Sequence, residues 1–176
     1  NPNLQQTDYE GRTPLHWAIE IGSLNSVKKI LAKNPPLHLT DMNGRTPLML
    51  ALEKKEIRQE LFNHPKVDVC TRNQEGNTPL HCAIILNDID LISMLLNKKS
   101  PVNIRNDEGK TPLHLAWDKD LNALLTLLKK GKPKLVPPRG EAPYLIQAVE
   151  KNNPELIGAL LCCKPSLQEM NRDRHT

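Results

Sequence analysis

The 176-residue sequence predicts an all-α solenoid, a stack of helix-turn-helix units joined by β-turn or hairpin loops, and three recurrences predict it. Thr-Pro-Leu-His stands at Thr13 to His16, Thr78 to His81 and Thr111 to His114, with Thr46-Pro47-Leu48-Met49 as a variant. Two residues after the His position comes an alanine, Ala18, Ala51, Ala83, Ala116 and Ala148, at spacings of 33, 32, 33 and 32 residues. An apolar pair keeps the same period at Ile30-Leu31, Leu61-Phe62, Leu95-Leu96, Leu127-Leu128 and Leu160-Leu161. A unit of about 33 residues buries too little apolar surface alone, so each must lean on its neighbours, and about three or more are needed.

Local chemistry sets the elements of each unit in turn. Asp8-Tyr9-Glu10-Gly11 and Asp41-Met42-Asn43-Gly44 place Asp first and Gly last, which suits a tight turn. Thr13 then caps a helix whose first position is Pro14, where a missing N–H costs nothing. Small Ala18 admits a neighbouring helix, and Gly22, or Asn87 in the third unit, supplies the left-handed residue that ends the first helix. The second helix carries Leu24, Val27, Ile30 and Leu31 in the first unit and Ile89, Ile92, Leu95 and Leu96 in the third, a 3.6-residue stripe facing the stack.

The later units depart from this pattern. In the second, Met49 replaces His, and the second helix is expected to be shortened around Arg58-Gln59-Glu60, with Pro65 soon after. The fourth is read as lacking a residue after Asp120, and its run Lys129-Lys130-Gly131-Lys132-Pro133-Lys134 is expected in a solvated loop. The fifth puts Pro143 and Tyr144 where Thr and Pro stood, behind Pro137-Pro138-Arg139-Gly140, so its turn is expected to be atypical. One domain over 1–176 follows, with repeats at about 8–40, 41–72, 73–105, 106–137 and 138–170. Residues 1–7 and 171–176 read as remnants of flanking repeats.

Composition narrows the function classes. The chain is 38% apolar with two Trp, two Tyr and one Phe, so the core must be built from Leu, Ile, Val and Ala. A net charge of +4 from 24 basic and 20 acidic residues is spread along the chain, and the one basic run has no aromatics beside it to stack bases. A nucleic-acid partner is therefore not expected. The four cysteines include the vicinal pair Cys162-Cys163 and no Cys-x-x-Cys, which suits reduced thiols. With no membrane span or signal-peptide pattern, a cytoplasmic protein is expected, or one in the host cytosol if it is a delivered bacterial effector. Neither Gly-x-Ser-x-Gly nor a phosphate-cradling Gly loop occurs, so no catalytic residues, small-molecule substrate or cofactor are expected. No metal is expected either, because histidines one repeat apart would stand roughly 10 Å from each other, too far to share an ion.

Asp-x-x-Gly-x-Thr-Pro-Leu-His-x-Ala at this period resembles the ankyrin repeat, over essentially the whole chain. The resemblance implies that Thr and His side chains hydrogen-bond locally and between repeats, so that His16, His81 and His114 are structural. It also implies a monomeric protein-binding module that uses its turn tips and the first-helix face, which together line a concave groove. Such a module would be one domain of a larger adaptor or effector; the alternative is a substrate-recruiting domain of an enzyme whose catalytic domain lies outside this chain.

Candidate partner-binding residues follow position by position. At the exposed end of the first helices stand Glu20-Ile21, Glu53-Lys54, Ile85-Leu86, Asp118-Lys119 and Glu150-Lys151, and only Ile85-Leu86 lacks a charge. Exposed, Ile85, Leu86 and Ile21 would form an apolar centre rimmed by Glu20, Glu53, Asp118 and Glu150, with Lys119 beside it, suiting an amphipathic partner with basic flanks. Equally, Ala83 to Leu86 would pack inward in a rotated helix. The turn tips add Tyr9, Arg12, Met42, Arg45 and Lys110, among exposed neighbours that include Asn77. Trp17 is a groove candidate, whereas Trp117 is expected in the core.

Overall fold

A computed structural model describes residues 3–163. Ten α-helices form five pairs: α1 (Pro14–Ile21) with α2 (Leu24–Leu31), α3 (Pro47–Leu50) with α4 (Lys55–Asn63), α5 (Pro79–Ile85) with α6 (Ile89–Asn97), α7 (Pro112–Trp117) with α8 (Leu121–Thr126), and α9 (Tyr144–Glu150) with α10 (Pro154–Cys162). Helix α8 runs on into a π-helical turn, Leu127–Gly131. No strand occurs among the described residues. The proposed remnant at 171–176 lies outside them.

The turns form as their sequence dictates. Asp8 Oδ1 accepts from the N–H groups of Glu10 and Arg12, and Asp41 Oδ1 from those of Asn43 and Arg45, all at 2.8–2.9 Å. Asn73 does the same in the third repeat. Successive tips are then laced together, Met42 N–H to Glu10 O at 2.8 Å, Gln74 N–H to Asn43 O at 3.1 Å and Asp107 N–H to Glu75 O at 3.1 Å. Such close approach needs glycine: Gly44 has φ +70°, and a Cβ there would stand 2.8 Å from the Gln74 nitrogen.

The first helices of the first four repeats pack in succession, α1 on α3, α3 on α5 and α5 on α7, and on the other side α2 packs on α4, α6 on α8 and α8 on α10. Every substantial helix contact lies within a repeat or between neighbours. The core is one continuous layer between the two rows, with Leu15, Ile19, Leu80 and Ile84 from the first helices and Leu61, Leu95 and Leu128 from the second side. Burying each such side chain contributes roughly 1.5–3 kcal/mol.

Three sequence expectations are corrected. The short helix of the second repeat is α3, four residues long, whereas α4 is a full nine. Arg58, placed in the shortened stretch, instead sits 5% exposed on the inner face of α4. Its guanidinium takes the Leu52 carbonyl at 2.5 Å and pairs with Asp88 at 2.8 Å, so an oxygen released by the early end of α3 finds a charged donor. The missing residue of the fourth repeat falls before Asp120, because Asp120 caps α8 as Asp88 caps α6, one position nearer the repeat's alanine. Repeats one, three and five link their helices through left-handed Gly22, Asn87 and Asn152, and no residue with positive φ joins α3 to α4 or α7 to α8. The two short repeats have thus lost that link. Finally, Lys129, Lys130 and Gly131 belong to the π-helical turn and not to a loop.

Candidate functional site

The three histidines fix the wall on which a partner would sit. Thr13 N–H donates to His16 Nδ1 at 3.1 Å, which makes Nδ1 an acceptor and leaves the proton on Nε2. Nε2–H then donates across the repeat boundary to Arg45 O at 3.1 Å. His81 repeats this with Thr78 and Lys110 O, and His114 with Thr111 and Val136 O. Burial holds all three pKa values below the ordinary histidine range, and the neutral ring is the form both bonds require. With both nitrogens engaged, these side chains join repeats. Among the described residues, no group of His, Cys, Asp or Glu is placed to hold a metal ion.

Met49 interrupts the series. A thioether has no N–H to offer Asn77 O, the carbonyl equivalent to Arg45 O and Lys110 O, and α3 is short at the same place. Between the second and third repeats a cleft of about 360 Å³ is left, lined by Met49, Leu50, Leu52, Cys82, Ile85 and Leu86, with Arg45 and Glu53 on it too. Ile85 is 42% exposed and Leu86 40%, so of the two readings left open, the pair faces out. Sequence reasoning found Ile85 and Leu86 from the lost charge, and missed Met49, Leu50 and Leu52, whose only signal was the substituted histidine.

Other candidates are held by their own chain. Arg12 lies 2.9 Å from Asp8, 3.1 Å from Glu10 and Glu20, and 4.0 Å over the Trp17 ring, whose Nε1–H donates to Asp8 at 2.9 Å. Desolvation would raise the Asp8 pKa, but bonds from the Arg12 backbone and guanidinium, Trp17 and Glu10 hold it down to about 2. Arg12, Trp17 and Glu20 are therefore a preformed cluster, with Trp17 half-exposed. Arg45 pairs with buried Asp41 at 2.7 Å and Lys110 with Glu108 at 3.0 Å. Lys119 Nζ donates to Ile85 O at 2.8 Å, and Lys54 does likewise to Ile19 O, so each ammonium satisfies the C-terminal end of the preceding first helix. Tyr9, Ile21 and Met42 stand open to solvent. Asn77 is a correction: it is buried, bonded to Asn106 and Glu75, and not an exposed tip.

A second cleft, about 340 Å³, lies between the fourth and fifth repeats and includes Lys110 and Asp118 from the candidate set. Its floor is buried Trp117 against Tyr144, ring centroids 4.4 Å apart, with Trp117 Nε1–H donating to Gln147 at 2.7 Å. Trp117 is thus in the core, as its sequence position suggested. Tyr144 escaped sequence reasoning as a site residue because it showed only as a damaged Thr-Pro motif.

Side-by-side helix pairs, laced turn tips and an inter-repeat histidine bond define a repeat solenoid whose first helices and tips present one continuous face. The family described as ankyrin repeats (3 copies) matches residues 1–73 and 55–137, and the chain belongs to that family. Over 97 residues, 54% of this chain, it is 31% identical to transient receptor potential cation channel subfamily A member 1 of Homo sapiens, and it spans 9% of that protein's length. Ankyrin repeats are in general protein–protein interaction modules, typically without catalysis of their own. Among the described residues no helix is long and apolar enough to cross a membrane.

Proposed function

We propose that this chain is a protein-interaction module of a larger adaptor or effector, gripping a partner segment along the first-helix face with Ile85 and Leu86 as its apolar anchor. The observation that carries this reading is the cleft beside α3, where two large aliphatic side chains stand exposed at a position that carries charge in the other repeats. An apolar centre surrounded by Glu53, Glu75 and Arg45 has the layout of an interface core with a polar rim. Tyr9, Met42 and the Arg12–Trp17–Glu20 cluster extend the contact toward the first repeat.

The module binds without catalysing. Burial raises the thiols of Cys70 and Cys163 and pushes Cys82 up to about 11, which makes them poor nucleophiles at neutral pH, and the three wall histidines are committed to structural bonds. The four free cysteines suit a reducing, cytoplasmic setting. Lys129, in the basic run, is paired with Glu155 at 3.1 Å, which favours a protein partner over nucleic acid, taken by a monomer.

The test is a pull-down, or an affinity measurement with a peptide selected on the folded chain, comparing wild type with the double variant Ile85→Glu, Leu86→Lys. Both side chains are half-exposed, so helicity should be retained while affinity falls by about 2 kcal/mol or more, some thirtyfold. Undiminished binding by a folded double variant would remove the anchor.

A further inference from the structure

The fifth repeat is packed on one side only. Toward the fourth repeat, Tyr144 lies against Trp117, and Gln147 takes the Trp117 indole N–H at 2.7 Å. On the other side Leu145, Ile146 and Val149 of α9 and Leu161 of α10 stand 38–58% exposed. The residues equivalent to Leu145, Ile146 and Val149 are buried in each of the first four repeats, and those equivalent to Leu161 are buried or partly so.

The first repeat shows which neighbour supplies that cover. No helix pair precedes it among the described residues, yet Leu15, His16 and Ile19 are at most 1% exposed, and Leu31, the equivalent of Leu161, is buried. Their cover is α2 and the second repeat, on which α1 packs and whose Arg45 O takes the His16 Nε2–H. In the fifth repeat α10 plays the part of α2, so the cover its outer side lacks is that of a following repeat. Nor does every end of the row look like this. Ile57, Leu91, Ala123 and Leu156 share one buried position in the later repeats, and in the first repeat that position is Ser26, exposed and bonded to Ser23 at 2.8 Å. A repeat stack stays soluble by finishing on polar outer faces, a rule that α2 follows at this position and the fifth repeat does not.

We propose that Leu145, Ile146, Val149 and Leu161 form a stacking face for one more helix pair of the same kind, carried on the same chain. The four side chains offer no charge and no hydrogen bond, so the occupant must bring an aliphatic stripe of its own, as the position of Leu91 and Leu156 does inside the row. Ile146 stands where His16, His81 and His114 donate to the next repeat, and it has no N–H to give, so this joint is apolar throughout. A stable interface between separate molecules engages about 20–30 residues a side, far more than this face presents. A helix pair tethered to the chain needs much less, because the link keeps its local concentration high. That favours a following repeat over a second copy. The face lies apart from Ile85 and Leu86, so it neither needs nor alters their role as an anchor.

Extending the chain tests the face. Pro79 to Lys110, taken from the third repeat, is joined directly to Thr176, which restores Thr-Pro-Leu-His and puts the next alanine 33 residues after Ala148. Amide hydrogen exchange is then compared in α9 of the 176-residue chain and of the extended one. The Val149 and Glu150 amides are expected to exchange about tenfold more slowly in the extended chain. Val149→Glu should abolish that slowing, yet change exchange in the 176-residue chain by less than about threefold. A second graft, Pro47 to Asn77 from the second repeat, decides if the first fails to fold. Exchange in α9 left unchanged by both grafts, folded or not, would overturn the proposal. So would an equal effect of Val149→Glu in both chains, which assigns the face to residues 164–176. Protection of α9 in the 176-residue chain that rises with its concentration would also overturn it, assigning the face to a second copy.

Discussion

His16, His81 and His114 each do two jobs with one ring, accepting a bond inside their own repeat and donating one to the next. Both jobs need the neutral imidazole, and burial accordingly holds their pKa values down in the folded chain. In the unfolded chain they return to the ordinary value of about 6.5. Above that pH neither state takes up a proton, and the stabilisation is complete. As pH falls from about 6.5 toward the lowered folded values, the unfolded state binds more protons, so stability must fall. Urea midpoints taken at pH 7.5 and pH 5.5 should therefore drop at the lower pH, and equal midpoints would contradict the assigned ring state. The carboxylates whose pKa values are lowered, Asp8, Asp68 and Asp88, titrate further down and do not obscure this window.

At the scale of elements, the position of each helix start was legible because it is written in adjacent residues. Thr13, Thr46 and Thr111 accept from the N–H three residues on, with Pro at the first helical position, and Gly22 and Asn87 carry the left-handed turn. The length of α3 was not legible. The Leu52 O left free by its early end is taken by Arg58, which also pairs with Asp88 across a repeat boundary, and nothing in the run Ala51 to Lys54 announces that reach. The outward face of Ile85 and Leu86 was legible only as one of two options, since a missing charge does not say which way a helix is turned. Tyr144 was hidden for the same reason, because its place beside Trp117 is a matter of packing between repeats. Met49 offers a direct check at this scale. Met49→His should restore the bond to Asn77 O, raising stability by about 1 kcal/mol in urea unfolding and narrowing the cleft so that a peptide selected on wild type binds less well. A lower midpoint would show that the lost histidine is not what opens the second and third repeats.

Taken as a whole, the molecule is a row of neighbours. Helix contacts of substance run only within a repeat or to the next one, so each stretch of the first-helix face is set by two adjacent repeats and the row leaves that face available along its length. Divergence has concentrated at two boundaries, the second with the third repeat and the fourth with the fifth, and those are where the clefts lie. The most direct test is a hydrogen–deuterium exchange footprint of a bound partner segment. Protection is expected at the tips around Met42 and Glu75, at the end of α3 and at the end of α5, with α2, α4 and α6 unchanged. Protection confined to the second-helix row, with the tips and α5 exchanging as in the free chain, would contradict the assignment of the gripping face.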